Sequence, residues 1–496
     1  MSEKVVPPNA SGSAVEYTLQ PTTPAANNRY TRTARVSCRS QTIHPGKFAF
    51  AGEAEPPYLP AQWNTAQHPE GNIYFVCERN PRVITEASML STETQDCIEH
   101  FIGIIRKMLD DRQIIPSTST ELFLDLVAAE ETAEGTRCCR YYFADHNTRT
   151  LFWLDPVNSA DLGILETASE EQLKWGLEEL YWNHVEFYPS HYAPGLTLSL
   201  DELEHIFIQA ETDQLTSLDS TFPYDAEQCR DFRRLIRECK DSKSPSSPYT
   251  RWSIARIWAM IPSHRFMTHY GQAHSRLCRD QSVVDFPVPH EGRVYNMTSR
   301  LLFNAPRTFD ELLGNLWVDH IAYAPQWRLF MLRCQKEWTM TTAVSFALLL
   351  CNIMIAVFSR GTLALSALST SFSAASFVSG SALLLQYLHS ESATASDASI
   401  FLDQHCDAQT GFQRLAVLFS IPRSSLFWAL IMFSLQVPYL FVDQKYHRHM
   451  ACLGAALGAL VLVCMGLRRL RGFVRGSRIF APKNVDTADL SPEERV

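Results

Sequence analysis

The chain has 496 residues, a length typical of about two or three domains, and a formal net charge of −9. This acidic balance excludes a chain that binds nucleic acid through its overall charge. Thirteen cysteines are scattered without a CxxC pair, which indicates a reduced, cytosolic environment rather than a disulfide framework. The first charged residues are followed by no apolar segment, so we expect no cleavable signal peptide.

Residues 1–52 are rich in Ser, Thr, Pro and Asn and contain few large aliphatic side chains. Such a composition buries too little apolar surface to offset the entropy lost on ordering. The sequence therefore predicts a disordered tail over this range.

The segment 53–90 has the pattern of two short strands joined by a turn. Pro60 and Trp63 open the first strand, Pro69–Gly71 supply the turn, and Tyr74 and Phe75 lie in the second strand. A connecting helix over 91–120 is predicted to follow, because its apolar residues recur at helical spacing.

A second unit, 121–157, contains two aromatic strands around an Asn-Thr-Arg turn. Tyr142 and Phe143 precede the turn at Asn147, and Trp153 and Pro156 follow it. Tyr142 and Trp153 would project from one face of a small twisted sheet. Two aromatic planes arranged in this way accept a proline ring of a polyproline II ligand.

Both units resemble WW domains. The resemblance implies that Tyr142 and Trp153 form a groove for a proline-rich partner, with His146 beside it as a specificity residue. Thr85 stands where the ligand-side Trp of the first unit would be, and the second unit lacks a Trp in its first strand. Two alternatives therefore stay open: two degenerate WW-like units, or one sheet that contains strands from both segments. The resemblance gives structural roles to Pro60, Trp63, Tyr74, Phe75, Phe143, Asn147 and Pro156.

Residues 158–338 are predicted to form a mostly helical cytosolic domain, with helices over Ser169–His191, Ser199–Gln214 and Tyr224–Lys240. The polar stretch Asp241–Pro248 has the composition of a linker. Tyr249–His274 has the pattern of a membrane-surface helix or a core helix, and the core interpretation is preferred.

Histidines in this domain suggest a metal site but match no standard ligand spacing. His184, Glu186 and His191 lie close in sequence, and His264, His269 and His274 recur every five residues. Neither set forms one face of a helix with a known zinc pattern. We therefore predict no metal site and no cofactor.

Residues 339–467 contain four uncharged apolar runs, at about 339–358, 362–388, 426–442 and 450–467. Basic residues precede the first run and cluster at the start of the predicted basic cytosolic tail 468–496. An even number of spans keeps both termini cytosolic, with two spans as the alternative to four. Asn352 is predicted to make a helix–helix hydrogen bond. Gly454 and Gly458 are predicted to pack helices closely, either within one chain or between copies in a homo-oligomer.

The predicted fold class is an α+β soluble region, with small antiparallel WW-like sheets plus helices, followed by an α-helical transmembrane bundle. No catalytic motif is present, so the chain is predicted not to be an enzyme. The favoured function is a multi-pass membrane adaptor that presents a proline-binding module to the cytosol; the membrane itself is not identified. The alternative is a channel- or transporter-like protein in which the WW-like units are only structural.

Overall fold

The computed structural model divides the chain into two compact units, Met1–Val283 and Val284–Val496. It describes residues 16–27, 29–30, 36–38, 40, 58–127, 136–217, 219–241, 247–284, 289–358 and 363–442. The fourth predicted span, the glycine pair Gly454 and Gly458 and the basic tail lie outside these residues.

The first unit is built on one seven-stranded mixed sheet. Six of the strands follow the spatial order β1-β6-β5-β4-β3-β2. The seventh, β7, pairs with the C-terminal end of β6 on the same edge that β1 occupies at the N-terminal end. β4 and β5 are parallel and are connected through helix α1. The strands are β1 (Glu16–Pro21), β2 (Trp63–Gln67), β3 (Ile73–Cys77), β4 (Arg82–Thr85), β5 (Thr120–Leu126), β6 (Thr136–Asp145) and β7 (Thr150–Phe152).

Helices cover both faces of this sheet, and the alternation of side chains along each strand divides them between two cores. Phe143 joins the core that contains α1, whereas its neighbour Tyr142 joins the core formed with α2 and α5. The unit is therefore a layered structure in which aromatic residues on both faces are buried. The helices are α1 (Thr92–Asp111), α2 (Glu170–Phe187), α3 (Leu200–Thr216), α4 (Ala226–Asp241) and α5 (Pro248–Met267).

The two WW-like units do not form separate small sheets. Their predicted strands and turns are present, since β2 pairs with β3 and β6 pairs with β7 in antiparallel fashion. However, β4 and β5 join the two meanders edge to edge through parallel pairing. Of the two alternatives that the sequence left open, the structure has one sheet that draws on both segments.

The predicted disorder of residues 1–52 is wrong for residues 16–27, 29 and 30. β1 extends the sheet by pairing in parallel with β6, and Tyr17 and Leu19 pack against the core beside α1. Further along, Arg29 Nη2 lies 2.7 Å from Glu86 Oε1. A few apolar side chains and one buried ion pair thus order a segment whose average composition predicts disorder.

The helix predictions for the first unit are largely confirmed. Ser169 caps α2, its side chain accepting a hydrogen bond from the Gln172 amide, as its position before two glutamates predicts. Ile254 and Trp258 of α5 are fully buried, in agreement with the preferred core interpretation of that segment.

The second unit contains three helices that are long and apolar enough to cross a membrane, with candidate spans Ala324–Ala356, Ala364–Ser392 and Gln413–Gln436. They correspond to the first three predicted spans. The helices of this unit are α6 (Arg293–Leu301), α7 (Ala305–Leu316), α8 (Ala324–Phe358), α9 (Leu363–Gln386), α10 (Ala395–His405) and α11 (Gln413–Val442).

Buried polar side chains connect these three apolar helices. Asn352 of α8 donates to Ser369 Oγ of α9 at 2.8 Å and accepts from Gln436 of α11 at 2.9 Å. Ser345 and Ser376 make a second interhelical contact at 2.6 Å. The predicted role of Asn352 is confirmed, and hydroxyl and amide groups pair with one another in an otherwise apolar bundle.

Glu179 on α2 provides a test of the α2–α5 packing. Burial against α5, where its partner is Ser263, raises the pKa of Glu179 to about 7. Between the ordinary carboxyl pKa and pH 7 the folded state therefore binds more protons than the unfolded state, so the free energy of unfolding falls as pH rises. We expect Glu179→Gln to flatten this slope and to raise the free energy of unfolding at pH 8 by about 3 kcal/mol. Thermal unfolding of the wild type and the variant at pH 5 and pH 8 measures the change in stability with pH. An equal change in both proteins would contradict the burial of this carboxyl.

Candidate metal centre

Four polar side chains meet in the interior of the first unit, on the sheet face covered by α2. Glu121 comes from β5 and His146 from the turn after β6, while His184 lies on α2 and His191 follows that helix. Glu121 faces inward because it alternates with Leu122, which belongs to the core on the opposite face. Its exposed fraction is 1%, so its charge has almost no contact with water.

The Nε2 atoms of all three imidazoles point at the carboxylate of Glu121. His184 Nε2 and His146 Nε2 lie 3.0 Å and 3.1 Å from Glu121 Oε2. His191 Nε2 lies 2.8 Å from the other oxygen, Oε1. The two carboxylate oxygens therefore have different surroundings, with two imidazoles converging on Oε2.

A tyrosine hydroxyl holds the opposite nitrogen of each imidazole. The Nδ1 atoms of His184, His146 and His191 lie 3.1, 3.0 and 3.1 Å from the hydroxyls of Tyr142, Tyr181 and Tyr74, respectively. These hydroxyls come from β6, α2 and β3. The sheet and α2 thus fix the orientation of every ring in the cluster.

Glu121 Oε1 is held by two cationic or hydrogen-bonding groups. Besides His191, Arg82 Nη1 donates to Oε1 at 3.3 Å. Arg82 also donates to Glu78 Oε2 at 2.7 Å, so its guanidinium is shared between two carboxylates. These contacts fix the carboxylate of Glu121 from the Oε1 side and leave Oε2 to the two imidazoles.

The protonation of the cluster follows from its hydrogen bonds. The Tyr74 hydroxyl accepts from the Ser190 amide at 2.8 Å and contacts His191 Nδ1 at 3.1 Å, while His191 Nε2 contacts Glu121 Oε1 at 2.8 Å. Imidazoles that face Glu121 lower the pKa of its carboxyl well below the ordinary value despite its burial. Burial lowers the pKa of His184, which is therefore neutral at neutral pH.

One nitrogen in this network has no hydrogen bond. His146 Nε2 is buried and faces Glu121 Oε2, but its geometry makes no hydrogen bond with any residue that the structure describes. An imidazole nitrogen in the interior that faces a carboxylate oxygen without a well-aligned hydrogen bond recovers only part of the hydration that it loses on folding. Coordination of a cation at this position would satisfy it.

The donor set of Glu121, His146 and His184 has the chemistry and spacing of a metal site. One ligand atom from each residue lies within 4.8 Å of the other two. In a tetrahedral zinc site with bonds of about 2.0–2.1 Å, neighbouring ligand atoms are about 3.3 Å apart. The contacts of 3.0 and 3.1 Å from the two Nε2 atoms to Oε2 need only a small expansion to reach that value.

The predicted proline groove is not open, so this interpretation of Tyr142 is wrong. The ring of Tyr142 stacks on Phe123 with centroids 4.9 Å apart and has no exposed surface. Trp153 is half-buried, and its Nε1 donates to the Thr22 carbonyl at 3.0 Å. His146 lies in the cluster rather than on a ligand surface. The physical reason is the second helical layer, which a free WW-like sheet lacks.

The residues predicted to have structural roles are mostly interior. Trp63 is 4% exposed, and its amide donates to the Pro60 carbonyl at 3.1 Å in the turn that leads into β2. Tyr74, Phe75 and Phe143 are also buried. Asn147 and Pro156 are exposed, Asn147 in the turn between β6 and β7.

Sequence reasoning missed Glu121 and rejected His184 and His191 as metal ligands. The rejection rests on spacing along the sequence, whereas the cluster draws on a strand, a turn, a helix and a loop. An acidic residue inside the apolar run of β5, Thr120–Leu126, is the one local signal that pointed to Glu121.

Comparison of the chain with protein-family models, with curated proteins and with solved structures finds no match. The geometry of the cluster is therefore the basis for any conclusion about function.

Glu121→Gln tests whether the carboxylate supports the fold. Because it leaves the buried imidazoles and Arg82 without their negative partner, we expect a loss of about 3 kcal/mol in the free energy of unfolding. Glu93→Gln is the matched control, since the Glu93 side chain is 73% exposed and pairs with Arg137 at the surface; it should change stability by less than about 1 kcal/mol. Chemical denaturation measures both, and equal effects would contradict a central role for Glu121.

Proposed function

We propose that the first unit is a metal-binding module that holds a divalent transition metal, preferably Zn²⁺, in a membrane-associated protein. The ligands are Glu121 Oε2, His146 Nε2 and His184 Nε2. The observation that carries this proposal is the convergence of two imidazole nitrogens on one buried carboxylate oxygen, one of them without a hydrogen bond. Imidazole and carboxylate ligands suit zinc, and the third histidine is placed to orient the carboxylate.

The surrounding hydrogen bonds match what a bound metal requires. A histidine that coordinates through Nε2 carries its proton on Nδ1 and needs an acceptor there. The hydroxyls of Tyr142 and Tyr181 lie at hydrogen-bond distance from these Nδ1 atoms and can accept as well as donate. Metal binding thus needs a change of tautomer and only a small separation of the two rings from the carboxylate.

The burial of the ligands supports a structural role for the metal. Glu121, His146 and His184 are 1%, 4% and 1% exposed, so the fourth position of a tetrahedral metal held by these three ligands would lie in the interior, away from the solvent that supplies a catalytic metal with substrate. A metal here would tie β5, the end of β6 and α2 together. On this ground we retain the expectation that the chain is not an enzyme.

Membrane association is the second component of the proposal. Three helices of the second unit are long and apolar enough to cross a membrane. We propose that they do so together with the fourth span predicted from the sequence, 450–467, so that an even number of spans places both termini in the cytosol, as the basic residues near the spans predict. The reduced cytosol also suits the free cysteines among the described residues.

Metal analysis of the full-length protein in detergent tests the metal centre. We expect one Zn²⁺ per chain in the wild type, and at least a tenfold loss of affinity in His146→Gln and His184→Gln, because each removes one ligand. His205→Gln is the control, since His205 is exposed on α3. Elemental mass spectrometry gives the stoichiometry, and competition with a chromophoric chelator gives the affinity.

The same samples reveal a structural contribution of the metal. Saturating Zn²⁺ at about 100 times its dissociation constant should stabilise the fold by about 2.7 kcal/mol, and chelation should remove this gain. A wild-type protein that folds stably and binds no divalent metal would contradict the proposal, as would equal affinity in the His184→Gln and His205→Gln variants.

The adaptor function that the sequence predicts stays a prediction, and the buried Tyr142 argues against the groove proposed for it. We expect a fluorescent Pro-Pro-x-Tyr peptide to show no saturable binding to the full-length protein, because a proline ring cannot reach Tyr142. Fluorescence anisotropy measures the binding of this peptide to the wild type and to Trp153→Ala. Saturable binding that Trp153→Ala abolishes in a folded protein would restore the groove and the proline-rich partner.

A further inference from the structure

Helix α6 in the second unit has two distinct long faces. Tyr295 and Ser299 face the interior and are buried. Val294, Met297 and Leu301 are 80%, 67% and 56% exposed, and their spacing places them in one stripe along the opposite side. A contiguous stripe of large apolar side chains is costly in water and indicates a covering surface.

Contacts with α11 fix the position of this stripe. Ser424 Oγ donates to the Leu302 carbonyl at 3.1 Å, and Trp428 Nε1 donates to the Leu301 carbonyl at 3.0 Å. The Phe303 ring lies 5.3 Å from the ring of Trp428, between centroids. The C-terminal end of α6 is thus held against one of the candidate membrane spans.

The last charged residues of α8 and α11 show how far along these helices the contact with α6 lies. Arg423 is the last charged residue of α11, and its Nη1 lies 3.6 Å from Glu337 Oε1 of α8. Beyond these two residues both helices continue without a charge to their described ends, Val442 and Phe358. Trp428 lies five residues past Arg423, about 8 Å along the helix axis. An interfacial helix buries its apolar face to about 5–10 Å below the membrane surface. The distance of about 8 Å between Arg423 and the α6 contact at Trp428 agrees with this depth.

Basic residues flank the stripe. Arg293 and Arg300 are exposed on the same side of α6, and neither pairs with an acidic group in the part of the chain that the structure describes. Arginine beside an apolar stripe can extend its guanidinium towards the phosphates of lipid headgroups.

We propose that α6 is an interfacial helix that lies in the headgroup region of the membrane and binds anionic phospholipid. Val294, Met297 and Leu301 contact the upper acyl chains, while Arg293 and Arg300 bind lipid phosphate. This inference rests on the proposed membrane insertion of the second unit and is independent of the metal centre.

Photocrosslinking in vesicles tests the apolar contact. Benzoylphenylalanine replaces Met297 in the full-length protein, which is reconstituted in phosphatidylcholine with phosphatidylglycerol and irradiated. The control position is Gln404, which is exposed on α10. We expect lipid adducts at position 297, at least tenfold more than at position 404, by mass spectrometry. Adducts with a protein chain, or an equal lipid yield at both positions, would overturn the proposal.

The arginine contacts are tested in the same assay. Arg293→Gln and Arg300→Gln should each lower the ratio of phosphatidylglycerol to phosphatidylcholine adducts by about fivefold. Arg307→Gln is the matched control, because Arg307 already donates to Glu291 and Asn296 at 3.1 and 2.6 Å. A ratio that is the same in all three variants would refute the anionic-lipid contact.

Discussion

The buried carboxylate of Glu121 is the constraint on which the first unit depends. A charge in the centre of a sheet covered on both faces is costly unless several partners satisfy it. Here three imidazoles and Arg82 contact its two oxygens, and they come from β4, from the turn after β6, from α2 and from the segment after α2. The same group that is expensive to bury therefore specifies how helix, sheet and loop meet.

The tyrosines extend this constraint outward. Tyr74, Tyr142 and Tyr181 each contact one imidazole, and burial raises the pKa of each hydroxyl, so all three remain protonated. A protonated hydroxyl can donate to or accept from a ring nitrogen, which lets the rings keep their positions in either tautomer. The cluster is consequently rigid in position and adaptable in protonation, as a metal centre requires.

Local structure was readable from the sequence, whereas its assembly was not. The turn between Asp145 and Thr150, the Ser169 cap of α2 and the apolar helices follow from turn chemistry, capping and hydropathy. The joining of two meanders by β4 and β5 depends on long-range parallel pairing, which leaves no local pattern. For the same reason Tyr142 was assigned to an open groove and Glu121 was overlooked. The interhelical hydrogen bond of Asn352 is predictable, because a lone amide in an apolar helix needs a polar partner on a neighbouring helix.

Anomalous scattering at the zinc absorption edge, on crystals of the full-length protein, tests the central claim most directly. The account predicts one anomalous peak in the first unit, about 2.0–2.2 Å from Glu121 Oε2, His146 Nε2 and His184 Nε2. A zinc-saturated crystal with no peak at this position, and with direct hydrogen bonds from both histidines to the carboxylate, would contradict it.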